Sequence, residues 1–506
     1  MKSFSGAWGL VLQVVALCIA SPALAEVVDI TLLHLNDVYE IAPVEGGKRG
    51  GLARVATLRQ ELLNQNPRTY TVLAGDAFSP SALGTAKVNG KPLAGQQMVA
   101  VMNAVGFDYA TFGNHEFDLA EPELLQRLKE SRFEWISSNV RDSKGKSFPD
   151  VVESQILNIK GDKDTVVRVG LIGLTIDSNK QKYVSYSDPI QAARKKIAAL
   201  KGKVDIIVAL THLNLAQDQK LAAEVPEIDL ILGGHEHENI QQWRGADFTP
   251  LFKADANVRS VYIHNLRYDT ETKKLVVDSK LQPVTDAIPE EPRVAQVVNE
   301  WIEKAYQGFR ADGFAPEEAI ATTNIALDGL ESSVRNRATN LTALIAQAML
   351  REVYQADLAI LNSGSIRIDD FIPPGRITQY DIIRVLPFGG RVLAVEMKGS
   401  LLEKVLEQGQ ANRGTGGFLQ TANVSKKPDI GTWMVNGEPL DKDKNYRVAI
   451  NDFLMSGQEQ GLEFLNFKQK DIKLIHQMRD LRFVAIDRLK DSFAESVLKR
   501  YKSPSF

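Results

Sequence analysis

Residues 26 to about 290 alternate short runs of β-branched residues with stretches of helical periodicity. Helix character is found at 51–63, 95–105, 121–131 and 190–200. The runs predicted as strands are 30–35, 71–74, 135–138, 167–172, 204–210 and 228–232. This alternation predicts an α/β fold with parallel or mixed sheets covered by helices, and it places ligands beyond the carboxyl ends of the strands.

Length and charge narrow the class of protein. At 506 residues the chain exceeds the usual size of one domain, so two or three domains are expected. Lys and Arg number 60 against 63 Asp and Glu, which gives a net charge of −3 with histidine neutral. Because there is no basic excess, a long nucleic acid is not expected as a partner.

The first 25 residues have the pattern of a secretory signal. Lys2 precedes an apolar run at 8–20, and a small-residue frame ends at Ala25, where cleavage is predicted. The run is shorter than the ~20 residues of a membrane span, and no later segment reaches that length. Cys18 is the single cysteine and would leave with the signal. We therefore expect an exported chain, periplasmic or extracellular, without a transmembrane segment, disulfides or thiolate metal ligands.

A break rich in proline and acid at 286–292 separates two parts of the chain. After it, 293–309 has the apolar spacing of one amphipathic helix. The second part has its own helix at 341–354 and strands at 359–361, 392–397 and 446–451. The predicted organisation is signal 1–25, first domain 26–291, linker helix 292–317 and second domain 318–506.

Polar residues recur directly after the apolar runs of the first part. Since parallel strands end at one sheet edge, these residues are expected on the same rim. They offer carboxylates, an amide oxygen and imidazoles, a donor set that suits Mn, Zn, Fe or Co better than Ca or Mg alone. Singly, each motif is more often a turn or a hydrogen-bonded core residue. The residues are Asp37, Asp76, Asn114, His212, His235 and His237.

In order and in context, these motifs resemble the five sequence blocks of calcineurin-like metallophosphoesterases. Residues 33–37, 51–54 and 113–118 narrow the resemblance to 5′-nucleotidases and UDP-sugar hydrolases. It implies a calcineurin-like sandwich domain, a smaller α/β 5′-nucleotidase C-terminal domain and a linker helix between them. It also implies two divalent metal ions, chosen among Mn, Zn, Co, Fe and Mg. By resemblance, Asp76 bridges the ions, Asn114, His212 and His235 bind one, and Asp37 and His237 bind the other.

One residue departs from the family pattern. Two positions after the first aspartate, the family has histidine and this chain has Tyr39. A neutral phenol is a poor ligand, and a cation must first lower its pKa from about 10. Tyr39 is therefore a tyrosinate ligand, a hydrogen-bond donor to metal-bound water, or a core residue beside a site with fewer ligands. The second and third roles are favoured because a phenol oxygen lies farther from the backbone than an imidazole nitrogen.

The resemblance also implies catalytic and substrate-binding residues. His115 would stabilise developing charge or protonate the leaving oxygen, and Asp118 would orient its ring. The alternative role for Asp118 is the N-cap of the helix at 121–131, and both roles can hold together. In the second domain, the segments 335–341, 362–367 and 386–390 resemble family blocks that grip phosphate with arginines and stack an aromatic ring on a base. A glycine-rich family motif is stretched here at 457–464. The substrate-binding candidates are Arg335, Asn362, Arg367, Phe388 and Phe464.

The sequence thus predicts an exported dimetal phosphohydrolase that acts on nucleoside 5′-monophosphates. Alternatives within the same chemistry are hydrolysis of UDP-sugars, of nucleoside di- or triphosphates, or of 2′,3′-cyclic nucleotides. An alternative of another class is an exported nucleotide-binding protein with weak catalysis. The full set of metal and catalytic residues argues against that last alternative, because binding alone does not require them. The sequence leaves the oligomeric state open.

Overall fold

A computed structural model describes residues 25–163, 165–427 and 431–502. The predicted signal therefore lies outside the described residues, apart from Ala25. Within the described ranges, no helix combines the length and apolarity needed to cross a membrane.

The N-terminal domain is a sandwich of two sheets. The first sheet has seven strands, in the order Val151–Val152, Glu134–Ile136, Tyr109–Thr111, Thr69–Ala74, Val27–Leu35, Ser260–Asp269 and Leu275–Pro283. The second has six, in the order Ser154–Lys160, Val166–Thr175, Ile206–His212, Leu230–Gly233, Thr249–Lys253 and Ile240–Arg244. Apolar side chains from both sheets, such as Leu32 and Val208, form one buried cluster between them. The hydrophobic layer holds the two sheets face to face.

Helices cover the outer faces of the sandwich, as the alternating pattern predicts. The helices in this domain are Leu52–Gln65, Ala82–Thr85, Gln96–Val105, Glu121–Glu130, Pro189–Leu200 and Leu215–Glu224. The central strands of each sheet are parallel, so Val27–Leu35, Thr69–Ala74 and Tyr109–Thr111 end at one edge. Strands Val166–Thr175, Ile206–His212 and Leu230–Gly233 do the same in the second sheet.

The amphipathic helix predicted after the proline-rich break spans Pro292–Ala311. Pro292 occupies its first turn, and the Glu291 side chain accepts a hydrogen bond from the amide of Val294 at 2.8 Å. Both features are typical of a helix start. Its buried residues, including Val298 and Phe309, join a core cluster that contains side chains of both domains. The helix therefore connects the two domains through packing as well as through the chain.

The C-terminal domain is a smaller α/β unit. Its five-stranded sheet has the order Leu419–Ala422, Leu358–Asn362, Asn445–Asn451, Arg391–Lys398 and Ile472–Asp480. Its helices are Glu331–Val334, Asn340–Glu352, Gln379–Val385, Gly399–Ala411 and Leu481–Lys502. Short ribbons pair Ala319–Thr323 with Gly375–Thr378 and Leu327–Asp328 with Phe371–Ile372, and a third joins Val424–Lys426, Trp433–Val435 and Glu438–Pro439. The predicted fold class, a sandwich followed by a smaller α/β domain, is confirmed.

Candidate active site

The predicted site residues lie where strands of both sheets end on one rim. Asp37 and Asp76 follow strands of the first sheet, and His212 and His235 lie at strand ends of the second. Asp37, Asp76 and His235 have φ angles of 51°, 58° and 81°. This left-handed backbone is uncommon outside glycine and is concentrated at functional sites, where surrounding contacts hold it. Sharp turns at the strand ends thus present these side chains at the rim.

Close approach of the loops depends on glycine at one position. A Cβ on Gly75 would lie 2.5 Å from Nδ1 of His212 and 2.6 Å from the amide nitrogen of Gly113. The φ of Gly75 is also +81°. Any larger residue would push the Asp76, Asn114 and His212 loops apart.

Asp37, Asp76 and His212 form a buried cluster. One ligand atom from each lies within 4.8 Å of the others. Nδ1 of His212 donates to the carbonyl oxygen of Ala74 at 2.8 Å, so Nε2 is the ring nitrogen left to face the carboxylates or a cation. That Nε2 is 3.1 Å from Oδ2 of Asp76, yet it is buried without a hydrogen-bond partner in the described structure. An unpaired imidazole nitrogen between two carboxylates fits a divalent cation.

The electrostatics of this cluster also favour a cation. Burial lowers the pKa of His212, but Asp76 and Asp37 outweigh it and raise that pKa to about 9. Two buried carboxylates therefore create a strongly negative field at the rim. A metal ion is the usual means of compensating such a field.

Three further proposed ligands surround the cluster. The backbone amide of His235 donates to Oδ2 of Asp37 at 2.9 Å, and its Nδ1 lies 3.2 Å from Oδ1 of Asn114. Nε2 of His237 lies 3.5 Å from Oδ1 of Asp37. The fold thus brings together six side chains, called the proposed ligands below: Asp37, Asp76, Asn114, His212, His235 and His237.

The hydroxyl of Tyr39 lies among these residues. Its Oη is 3.1 Å from Oδ1 of Asp37, from Oδ2 of Asp76 and from Nε2 of His237. The phenol therefore reaches the proposed ligands, although its ring is buried. Burial and the two carboxylates raise the pKa of Tyr39 well above its ordinary value, which favours a neutral hydrogen-bond donor.

Beside the proposed ligands, His115 and Asp118 form a pair. Nδ1 of His115 contacts Oδ2 of Asp118 at 2.8 Å. Ser79 donates to the same Oδ2 at 2.7 Å, and Asn179 donates to Oδ1 at 2.7 Å. Burial lowers the pKa of His115, but the carboxylates of Asp76 and Asp118 outweigh it and raise that pKa. Asp118 ends a short 3-10 helix, His115–Asp118, and the following helix has Ala120 as its N-cap, so Asp118 is not the cap of that helix.

The sequence analysis assigned no role to Glu116, whose carboxylate holds the rim loops through hydrogen bonds to their backbone. Its carboxylate accepts hydrogen bonds from the backbone amides of Asp76, Ala77, Phe78 and Gly113 at 2.6 to 3.3 Å. Burial and Asp76 raise its pKa to about 7, although the amides oppose this shift. The only signal in the sequence was its place beside Asn114 and His115.

A second missed residue comes from the C-terminal domain. Oδ2 of Asp369 accepts a hydrogen bond from Nδ1 of His237 at 2.7 Å, and Oδ1 accepts one from the amide of Glu331 at 2.7 Å. Burial opposes the charge of Asp369, but His237 lowers its pKa to about 2. The contact fixes the His237 tautomer, so that Nε2 faces Asp37. Near it, a cleft of about 510 Å³ is lined by residues of both domains, including His235 and Arg335.

The predicted substrate-binding residues differ in their contacts and in their exposure. The guanidinium of Arg367 lies 5.6 Å from the ring centroid of Phe388, a residue that is 53% exposed. Nε of Arg367 is buried without a hydrogen-bond partner in the described structure. Nη1 of Arg335 pairs with Oε1 of Glu331 at 2.5 Å. An arginine with an unused donor beside an accessible aromatic face is suited to a phosphorylated ring compound.

Asn362 and Phe464 are engaged within the C-terminal domain. The Asn362 amide donates to Oε2 of Glu459 at 2.7 Å, and its oxygen accepts from Ser365 at 2.6 Å and from Asn451 at 3.0 Å. Phe464 packs against a core cluster of that domain, with Nζ of Lys404 4.2 Å from its ring centroid. In this structure both residues therefore support the domain.

Comparison with known proteins places the chain in a family. A model of the calcineurin-like phosphoesterase domain matches residues 30–239, and a model of the 5′-nucleotidase C-terminal domain matches residues 319–467. The 5′-nucleotidase of Bos taurus is 28% identical over 519 residues, which cover 89% of this chain and 86% of that protein. The trifunctional nucleotide phosphoesterase YfkN of Bacillus subtilis is 28% identical over 85% of this chain, which spans 32% of that longer protein.

A solved structure gives the same result. The 5′-nucleotidase precursor of Thermus thermophilus superposes with a TM-score of 0.76 and 26% identity, over 92% of this chain and 97% of that one. The sandwich fold, the matching domain model and the rim of carboxylate and imidazole side chains define a calcineurin-like metallophosphoesterase, and the chain is a phosphohydrolase. With the C-terminal domain that follows the sandwich, it belongs to the 5′-nucleotidase family.

Proposed function

We propose that this chain is an exported dimetal phosphohydrolase that releases phosphate from nucleoside 5′-monophosphates. The observation that carries the proposal is the contact between the two domains at the rim. The proposed ligands lie on the N-terminal domain, while Asp369 of the C-terminal domain contacts His237 directly. A substrate bound there meets groups of both domains.

In this proposal Asn114, His212 and His235 would hold one cation, Asp37 and His237 would hold the other, and Asp76 would contribute to both. Such cations would supply neutralisation of the phosphoryl charge and would lower the pKa of a water at the site. The surrounding groups hold the ligands in place: Ala74 fixes the His212 tautomer, and Asp369 fixes that of His237.

His115 acts beside the ligands as the proton donor to the leaving oxygen. Its contact with Asp118 holds the ring at Nδ1 and leaves Nε2 for the substrate. Asp76 and Asp118 favour the protonated ring, which also stabilises negative charge that develops on the phosphoryl group. Tyr39 remains a neutral phenol that donates to the carboxylates or to a bound water.

The C-terminal domain supplies substrate recognition. Arg367, whose Nε has no hydrogen-bond partner in the described structure, binds the phosphate, and Arg335 assists from the wall of the cleft. The accessible ring of Phe388 stacks on the base. Relatives named 5′-nucleotidase and nucleotide phosphoesterase support a nucleotide substrate. The apolar run that ends before Ala25 supports export.

A phosphate-release panel tests the proposal. The chain without residues 1–25 is assayed with added Mn²⁺ on AMP, ATP, UDP-glucose and 2′,3′-cyclic AMP. The highest kcat/KM is expected for AMP. A preference for UDP-glucose, ATP or the cyclic nucleotide would transfer the assignment to that substrate class. Binding of all four without phosphate release would indicate a binding protein.

Phe388→Ala tests base recognition within that panel. Stacking on an aromatic ring contributes roughly 1–3 kcal/mol per base, so KM for AMP should rise about 5-fold or more. Hydrolysis of p-nitrophenyl phosphate, which carries no nucleobase, should be nearly unchanged. An unchanged KM for AMP would show that the C-terminal domain recognises something other than the base.

A further inference from the structure

Behind the proposed ligands lies a fully buried ammonium group. Lys253 is the last residue of strand Thr249–Lys253, and its side chain is 0% exposed. Burial of a lysine is costly unless its charge is paired and its hydrogen bonds are made. The roles proposed above make no use of this residue, so its position calls for a separate explanation.

The ammonium connects two loops that carry ligands. Nζ of Lys253 donates to the carbonyl oxygen of Leu213 at 2.7 Å and to that of Gly234 at 2.7 Å. Leu213 directly follows His212, and Gly234 directly precedes His235. One charged group thus fixes the backbone beside two proposed ligands on neighbouring strands.

Two carboxylates complete the arrangement. Nζ lies 2.7 Å from Oδ2 of Asp218, which is also fully buried. It pairs in addition with Oε2 of Glu236, the residue between His235 and His237. Oε1 of Glu236 accepts a hydrogen bond from the amide of Leu215 at 2.7 Å. Through its Oε1, Glu236 therefore links the loop that carries His235 to the loop that follows His212.

A glycine in the neighbouring strand leaves space for the methylene groups of Lys253. A Cβ at Gly233 would lie 2.9 Å from Cε of Lys253 and 3.1 Å from its Cγ. Glycine at this position therefore lets the stem pass along the strand to the two loops. Ordinary carbon contacts are longer than 2.9 Å, so any larger residue at position 233 would clash with the Lys253 side chain.

We propose that Lys253 is a positioning residue of the metal centre. Its ammonium holds the Leu213 and Gly234 carbonyls at a fixed separation, so that His212 and His235 converge on one cation. This inference rests on the proposed function, because both histidines are ligands only there. Like the partners of other metal-binding histidines, a residue behind the ligands sets affinity by fixing their orientation.

The test is the Mn²⁺ affinity of the metal-stripped chain, measured by electron paramagnetic resonance of free Mn²⁺. Lys253→Met together with Asp218→Asn removes both charges of the fully buried pair and keeps the side-chain volumes similar. Glu236 then loses its partner, but its carboxylate is partly exposed and can be hydrated. The Kd for Mn²⁺ is expected to rise about 10-fold or more. The control is Val169→Ala, which truncates a side chain in the apolar layer between the sheets. It should lower Tm and leave the Kd unchanged.

A folded double variant with the parental Kd would overturn the positioning role. If circular dichroism shows that this variant does not fold, Lys253→Gln together with Asp218→Asn replaces it, because a neutral amide removes the ammonium while it keeps a hydrogen-bond donor in the side chain. A smaller rise in Kd is then expected, and an unchanged Kd would overturn the inference. Failure of the proposed function looks different: the parent would bind no Mn²⁺, or Asp76→Asn would bind it as tightly as the parent.

Discussion

The two halves of the candidate metal centre are held in different ways. In the inner half, formed by Asn114, His212 and His235, every contact described comes from the N-terminal domain. Nδ1 of His212 donates to the Ala74 carbonyl at 2.8 Å, and His235 lies 3.2 Å from Asn114. The interdomain half, formed by Asp37, Tyr39 and His237, depends on Asp369 of the C-terminal domain, 2.7 Å from His237.

One half of the candidate centre is formed within the N-terminal domain, whereas the other half requires contact between the two domains. The inner half is formed within one domain, because its three proposed ligands are positioned by neighbouring strands of the sandwich. The interdomain half gains its orientation only when Asp369 is in place beside His237. If the proposed ligands bind two cations, domain position should affect only the cation held by Asp37 and His237, and variants can test each half separately.

Asp76→Asn should have the largest effect, because Asp76 belongs to both halves. Its Oδ2 lies 3.1 Å from Nε2 of His212 in the inner half and 3.1 Å from the Tyr39 hydroxyl in the interdomain half. A neutral amide weakens both cations, so turnover of p-nitrophenyl phosphate should fall on the order of 10³-fold. Metal per chain, measured by mass spectrometry, should fall with it. Full retention of two cations would contradict the bridging role.

His115→Ala should reduce the rate while leaving both halves intact. The backbone amide of His115 donates to Oδ1 of Asp76 at 2.8 Å, and alanine preserves that contact. Removal of the imidazole should lower kcat on the order of 10²-fold, as expected for a positioned acid. Metal content should match that of the parent. Loss of metal equal to that in Asp76→Asn would show that His115 is a ligand.

The inner half is also the part of the site that sequence predicts best. Apolar runs that end in Asp or in Gly-His mark strand ends, and the rim position follows from parallel pairing. Asp369 and Lys253 could not be found in this way, because each acts through packing between distant segments. Asp369 is 132 residues from His237, and nothing local to either one indicates the contact.

Two strands of the first sheet were also not predicted, because their positions depend on pairing between segments and not on a local pattern. Ser260–Asp269 and Leu275–Pro283 were not predicted as strands, although they pair antiparallel along one edge of the first sheet. Leu275–Pro283 has only partly buried or exposed residues, so it lacks the apolar run that marks a central strand. Its place is fixed by pairing with Ser260–Asp269, which a local pattern does not report.

Asp369→Asn should weaken the interdomain half alone. An amide accepts hydrogen bonds less strongly than a carboxylate and leaves His237 less firmly oriented, so the affinity for the cation held by Asp37 and His237 should fall about 10-fold. Metal titration by calorimetry measures the two affinities. Asp370→Asn is the matched control, since Asp370 contacts Arg384, Arg259 and the amide of Glu45 but none of the proposed ligands. Equal losses in both variants would assign the effect to domain packing.

Tyr39→Phe should have the smallest effect and sharpens the comparison most. The substitution keeps the buried ring and removes the hydroxyl that lies 3.1 Å from Asp37, Asp76 and His237. Because a neutral phenol contributes hydrogen bonds of about 0.5–1.5 kcal/mol each, kcat should fall about 2- to 10-fold. Metal per chain should stay at the parental value, and the pH profile should shift as the donor to carboxylate or water is lost.

The iron-loaded protein separates this role from ligation. A tyrosinate bound to iron gives a visible charge-transfer band, whereas a neutral phenol beside the metal gives none. We expect no such band in the parent, and therefore no spectral change on Tyr39→Phe. If the band is present and disappears while metal content falls towards one per chain, then Tyr39 is itself a ligand. The interdomain half would in that case be completed by a phenolate, and its affinity would depend on the cation lowering the pKa of the phenol.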